Sequence, residues 1–283
     1  MTAAQKRIAS LFQKMDREIG RISANPVPKT VHQFRTTARR VEAALEELMP
    51  EADRNQRKLL KQLSRLRRRA GRVRDMDIQL TALRNLRVAD ASRAKTQVLQ
   101  ALSELRTKRE SRLQDSLDKA TMRELRRRLK KARERFPGDL PDPLRLAGQL
   151  LSKFAEEQSP IDEKVLHRCR ILGKRIRYTA ELVGDEPEAQ RMVAELKRMQ
   201  DALGEWHDWL TLAGSVRRLL PGNPNSSLLL AVSNIMRAKY RDAVQAVANT
   251  KAALLRKPSI AASQLAAVGR RKASSTDAAA AVA

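Results

Sequence analysis

The run VHQFRTTARR, Val31 to Arg40, returns in the second half of the chain as LHRCRILGKR, Leu166 to Arg175. His32, Arg35 and Arg39 recur as His167, Arg170 and Lys174 at the same offsets. A second correspondence follows each run. Gly71 and Asp75 stand in RRRAGRVRDMDI, and Gly204 and Asp208 stand in QDALGEWHDWLT; the glycine comes 39 positions after His32 and 37 after His167. Shared order and spacing mark a duplicated unit. Whatever this chain folds into must build that unit twice.

The unit reads as a helical hairpin. Ten glycines, eleven prolines and 3% aromatic residues leave little material for a sheet, while Leu, Ala, Arg, Lys and Glu recur at helical spacing. The fold is expected to be all-α, with helices near 2–20, 28–48, 52–86, 90–118, 120–136, 143–157, 161–183, 187–219 and 225–252. The breaks fall at Pro26 and Pro28, Pro50, the stretch FPGDLPDP, Pro160, Pro187 and LPGNPNSS. Two pseudo-two-fold-related halves, about 1–137 and 143–255, form one compact helical bundle over 1–255. The Ala/Ser-rich segment 256–283, with a small basic cluster, is expected to be disordered apart from a short helix around Ile260 to Val268.

Helix geometry turns the spacing into chemistry. Offsets of three and seven point side chains in nearly one direction, so His32, Arg35 and Arg39 form one cationic stripe. His167, Arg170, Lys174 and Arg177 form the other. Val31, Phe34 and Ala38, and Leu166, Ile171 and Ile176, are the apolar positions that anchor each helix. On the following helix Lys61, Arg65, Arg68, Arg72 and Asp75 share one face, and Arg54 to Arg74 contains ten basic residues and no acidic one. The hairpin turns, near Pro50 and near Gly184 to Pro187, bring Gly71 and Asp75 to the height of His32, and Gly204 and Asp208 to the height of His167, about 30 Å from the turn. The glycines allow close approach, and the aspartates orient a histidine or arginine of the facing helix.

The 58 Lys and Arg residues against 32 Asp and Glu give +26 over 283 residues, which points to a polyanionic partner. Arginine forks, lysine point charges and histidine donors on parallel stripes suit a linear phosphate polymer. Cys169, the single cysteine, has the small apolar role of a core position and excludes an internal disulfide framework. Neither histidine stripe carries a second ligand at metal spacing, so no metal or cofactor is expected. No Ser-His-Asp order, phosphate-binding glycine loop or carboxylate cluster supports catalysis. Charges interrupt the N-terminal segment and every apolar run, so a cytoplasmic protein without membrane insertion is expected. Trp206 and Trp209 are expected to pack, and His207 to be structural or peripheral.

At HQFRTTARR with RAGRVRDMD, and HRCRILGKRIRY with LKRMQDALGEWHD, the sequence resembles the CHAD family, the conserved-histidine α-helical domain. The resemblance spans about residues 5 to 250. It implies a two-half helical bundle whose basic surface or channel binds inorganic polyphosphate, in a family linked to polyphosphate granules. The matching residues are His32, Arg35, Arg39 and Arg40, then His167, Arg170, Lys174, Arg175, Arg177 and Lys197. Arg65, Arg68, Arg72, Arg74 and Arg198 complete the expected binding set, with Gly71, Asp75, Gly204 and Asp208 in support. Glu42 stands where the second half has Arg177, and Ser64 where it has Lys197. The resulting expectation is a polyphosphate-binding or adaptor protein associated with granules and their proteins. Weak non-specific binding of nucleic acid, and polyphosphate processing, are the alternatives.

Overall fold

The computed structural model describes residues 2–88, 92–156, 161–222 and 226–255. Among them lie nine helices: α1 Ala3–Ala24, α2 Pro28–Leu48, α3 Arg54–Asn85, α4 Ser92–Asp115, α5 Lys119–Glu134, α6 Pro143–Glu156, α7 Glu163–Val183, α8 Pro187–Leu219 and α9 Ser227–Leu255. The all-α expectation holds, and each expected helix corresponds to one observed. The segment 256–283 lies outside the described residues.

Local chemistry sets the ends. Pro28 and Pro187 occupy the first turns of α2 and α8, where a missing N–H leaves no helical bond unmade. Asp53, Asp118 and Asp162 cap α3, α5 and α7 by accepting backbone N–H bonds from Gln56 at 2.6 Å, Thr121 at 2.8 Å and Val165 at 2.7 Å. The two long helices, α3 with 32 residues and α8 with 33, run without division.

Helices α2 and α3 pack as one hairpin and α7 and α8 as another, with α2 against α7 and α3 against α8. Three apolar cores hold them. One joins α1, α2, α3 and α5 around Phe12, Phe34, Leu45 and Leu63. A second joins α6, α7, α8 and α9 around Phe154, Leu166, Cys169 and Trp206. The third joins the C-terminal parts of α3 and α8 to α4 and the start of α9, through Leu83, Leu102, Leu212 and Leu228, with Trp209 against it. Two edges of the basic hairpins are thereby tied into a common base.

Val31, Phe34, Ala38, Leu166 and Ile176 are fully buried, but Ile171 is half exposed. It lies about 140° around α7 from Leu166, and Cys169 and Gly173 take the buried positions instead. Gly173 is also where the second hairpin closes: a β-carbon there would sit 2.5 Å from Cε of Met199 on α8. Gly184, after α7, has φ 104° and ψ −126°, a region reserved for glycine. An added β-carbon would also meet the Arg7 guanidinium at 2.7 Å. Gly184→Ala is expected to destabilise the fold by about 1–3 kcal/mol, lowering the thermal midpoint by roughly 2 °C or more in a chain of this size. Thermal unfolding followed by circular dichroism checks this; an unchanged midpoint refutes it.

Candidate functional site

Between the two hairpins, α2, α3, α7 and α8 enclose an open cleft of about 570 Å³. Helix α2 contributes His32, Arg35, Thr36 and Arg39; α7 contributes Arg170, Lys174, Arg177 and Tyr178. From α3 come Arg67, Arg68, Gly71, Arg74, Asp75 and Ile78, and from α8 Gln200, Asp201, Gly204, His207 and Asp208. The register that aligns Gly71 with Gly204 also aligns Arg67 with Gln200, Arg68 with Asp201, Arg74 with His207 and Asp75 with Asp208. All five pairs face the same space.

Eight cations and three carboxylates therefore line the cleft. Arg67 is held by Glu42, Nε to Oε2 at 2.7 Å, and Arg177 by Glu181 at 3.5 Å. Among the described residues, Arg35, Arg39, Arg68, Arg74, Arg170 and Lys174 form no ion pair within 4 Å of a carboxylate. The buried Nε atoms of Arg35 and Arg170 meet no hydrogen-bond acceptor. A buried donor left without an acceptor is costly, more so on a charged group.

The electrostatics register the crowding. Burial lowers the Lys174 ammonium to a pKa of about 6, with Arg170, Arg39, Arg35 and Arg177 adding to the effect. Arg39 is brought down to about 10, first by burial and then by Arg67, with Tyr178 opposing. His32 is lowered by burial, Arg74 and Arg35, and His167 by burial, Arg170, His207 and Lys174. The cleft thus disfavours its own charge.

Asp75 and Asp208 act here through their fields. Among the described residues neither forms an ion pair with an arginine of α2 or α7. Asp75 favours the charged form of Arg35, and Asp208, then Asp75, that of Arg170. Burial raises Asp75 itself. The Arg35 guanidinium lies across Gly71, where an added β-carbon would be 3.6 Å from Nε, an ordinary contact; at Gly204 nothing lies within 4 Å. These two glycines leave room in the cleft, and the close helix approach falls to Gly173.

Several expected binding residues stand elsewhere. Arg40 donates to Glu181 at 2.6 and 3.2 Å, and Arg175 to Glu47 at 2.7 Å, so both brace α2 against α7. His167 is exposed and outside the cleft lining. Lys197 is exposed about two turns, or ~10 Å, from Gly204 toward the hairpin turn, and Arg198 pairs with Glu195. Arg65 and Arg72 face the other side of α3. Seven cleft residues lie outside the expected set: Thr36, Arg67, Ile78, Tyr178, Gln200, Asp201 and His207. Centring the α3 wheel on Gly71 finds Arg67: positions 67, 71, 74 and 78 share its face, about 100° from Arg72. Glu42 is the buried carboxylate that steadies Arg67.

Among the described residues there is no group of three or more His, Cys, Asp or Glu side chains able to hold a metal ion. No described helix is long and apolar enough to cross a membrane.

Fold and cleft together define an all-helical domain that converges basic faces of two hairpins. It belongs to the CHAD family, whose domain model matches residues 6–217. The crystal structure of the CHAD domain from the plant Ricinus communis is similar, with a TM-score of 0.67 and 20% identity, covering 90% of this chain and 91% of that one. PptA from Streptomyces chartreusis is similar at a TM-score of 0.66 and 14% identity, over 90% and 98%. No curated protein matches the sequence significantly.

The cost of the lone ammonium gives a test. The Lys174 pKa is depressed from 10.5 to about 6 on folding. The unfolded chain then binds the extra proton between those values, so stability rises with pH across that window. Lys174→Met in ligand-free protein, free of phosphate and at low salt, is expected to raise the thermal midpoint most at pH 6 and below. The gain should shrink toward pH 10. Calorimetry across pH checks it, and a gain that is constant or grows with pH refutes it.

Proposed function

We propose that the chain binds inorganic polyphosphate in the cleft between its two hairpins, acting as a binding protein or adaptor on polyphosphate granules. The carrying observation is the set of six cleft cations without a carboxylate partner, two of them with buried, unsatisfied Nε donors. Membership of a family linked to polyphosphate supports the choice of anion. A phosphate polymer supplies an acceptor for each donor and offsets the burial, and after it the repulsion, that keep Lys174 neutral. A single unbranched strand fits an open cleft of about 570 Å³; a duplex presents its phosphates on a broader surface. No step of bond breaking is assigned, since the lining holds donors and no built nucleophile or metal site.

Each charged hydrogen bond contributes about 1.5–3 kcal/mol, roughly tenfold or more in affinity. Arg35→Ala, Arg170→Ala and Lys174→Ala are therefore each expected to weaken polyphosphate binding by at least about tenfold. The combined change Arg126→Ala and Arg127→Ala should do far less, because these cations already pair with Asp16 and Glu124 on the exposed side of α5. Equal losses in titration calorimetry at physiological salt would reduce the cleft to bulk charge. Failure of long polyphosphate to displace duplex DNA would favour a nucleic-acid ligand.

Binding should also take up protons. An anion raises the pKa of Lys174 from about 6, so at pH 7.5 the complex holds more protons than its parts. Affinity is then expected to fall as pH rises above 6. Calorimetry in two buffers of different ionisation enthalpy reads the uptake directly. Lys174→Gln should reduce it; uptake unchanged in that variant removes Lys174 from the site.

A further inference from the structure

Helix α3 carries a second set of cations, turned away from the cleft. Arg69 and Arg72 of α3 face Arg109 and Arg112 of α4 across a depression of about 360 Å³ whose one acidic lining residue is Asp115. Arg109 Nη1 donates to the Arg72 carbonyl oxygen at 3.1 Å, which ties the two helices together and fixes that guanidinium. Burial lowers the Arg109 pKa, Asp75 opposes this, and Arg72, Arg218 and Arg112 lower it further. Among the described residues, none of these four arginines forms an ion pair within 4 Å. The contrast is with α5 and its C-cap, where Arg126, Arg127 and Arg128, and then Arg135, all pair with carboxylates.

Beside this depression, and sharing Arg69 and Asp115 with it, lies a groove of about 500 Å³ lined by Arg65, Lys61 and Lys58. Its carboxylates are largely committed: Asp118 caps α5 through Thr121 N at 2.8 Å, and Glu124 pairs with Arg127 at 2.7 Å. From Lys58 to Arg72 the cations are spaced over about 21 Å of helix. Such a track matches the repeated charge of a linear polymer better than a compact anion. The body of α3 separates it from the cleft.

We propose that this α3–α4 face is a second site for a linear phosphate polymer, so that one molecule holds two strands and cross-links them. The identity of the polymer rests on the cleft being a polyphosphate site. The shape and charge of the outer track are independent of it. Cross-linking is a condensing activity, beyond the gripping of one strand.

The test compares full-length wild type, a cleft variant, Arg35→Ala with Arg170→Ala, and an outer variant, Arg69→Gln with Arg72→Gln and Arg112→Gln. All three substituted arginines of the outer variant lie on the track, and circular dichroism confirms folding. Titration calorimetry with a short polyphosphate is expected to give two ligands per wild-type molecule and one per molecule of either variant. Light scattering on mixing wild type with long-chain polyphosphate is expected to exceed that of each variant by at least about tenfold. One ligand per wild-type molecule, lost in the cleft variant and kept in the outer variant, overturns the second site and leaves the cleft intact. One ligand lost only in the outer variant overturns the cleft instead. Scattering unchanged in the outer variant overturns cross-linking through this face.

Discussion

The structure depends on forcing like charges together. Arg35, Arg39, Arg170 and Lys174 meet across the α2–α7 junction, and such a pair a few ångström apart repels by up to about 4 kcal/mol near a protein surface before salt screening. The opposite sides of the same two helices supply the restraint. Phe34, Val41, Leu45, Leu166 and Ile176 are fully buried, and each such side chain contributes about 1.5–3 kcal/mol. Arg40–Glu181 and Arg175–Glu47 add opposite-charge contacts beside the repulsive ones. Core burial thus holds these cations together against their repulsion.

That division of labour decided what could be read from sequence. Element type, and the shared height of Arg35, Gly71 and Asp75, follow from periodicity and from a repeat whose offsets agree to within two residues. The direction of α3 was harder. Its cations surround so much of the helix that charge alone gives no face, and a stripe through Arg65 and Arg72 looks as regular as one through Arg67 and Arg74. Only the apolar residues Leu63, Leu66, Ala70 and Val73, all buried, and the packing of α4 and α8 decide which edge meets the cleft. Arg40 and Arg175 misled for a different reason. Their partners lie on the other hairpin, and a cation bound to a distant carboxylate has the same letter as one awaiting a ligand.

The two hairpins are unequal in charge at the positions that their sequences align. Where α3 presents Arg67, Arg68 and Arg74, the aligned positions of α8 present Gln200, Asp201 and His207. Gln200 is turned inward, its Nε2 donating to the Gly173 carbonyl at 2.8 Å, so it supports the hairpin rather than the ligand. The second half answers through α7, with Arg170, Lys174 and Arg177. Positive charge therefore runs diagonally, from α3 across α2 to α7.

Glu42 gives this asymmetry a pH dependence. Burial raises its carboxyl to a pKa of about 7, against the attraction of Arg67. As pH falls through 7, Glu42 gains a proton and its ion pair with Arg67 weakens to a neutral-acceptor contact, which leaves more of the Arg67 charge uncompensated. Lys174, with a pKa of about 6, becomes charged as pH falls further. Both changes add positive charge to the cleft in the same direction. Glu42 beside Arg67 therefore works with the lysine on the far helix: each keeps the cleft less cationic at neutral pH, and each yields as falling pH makes the charge favourable.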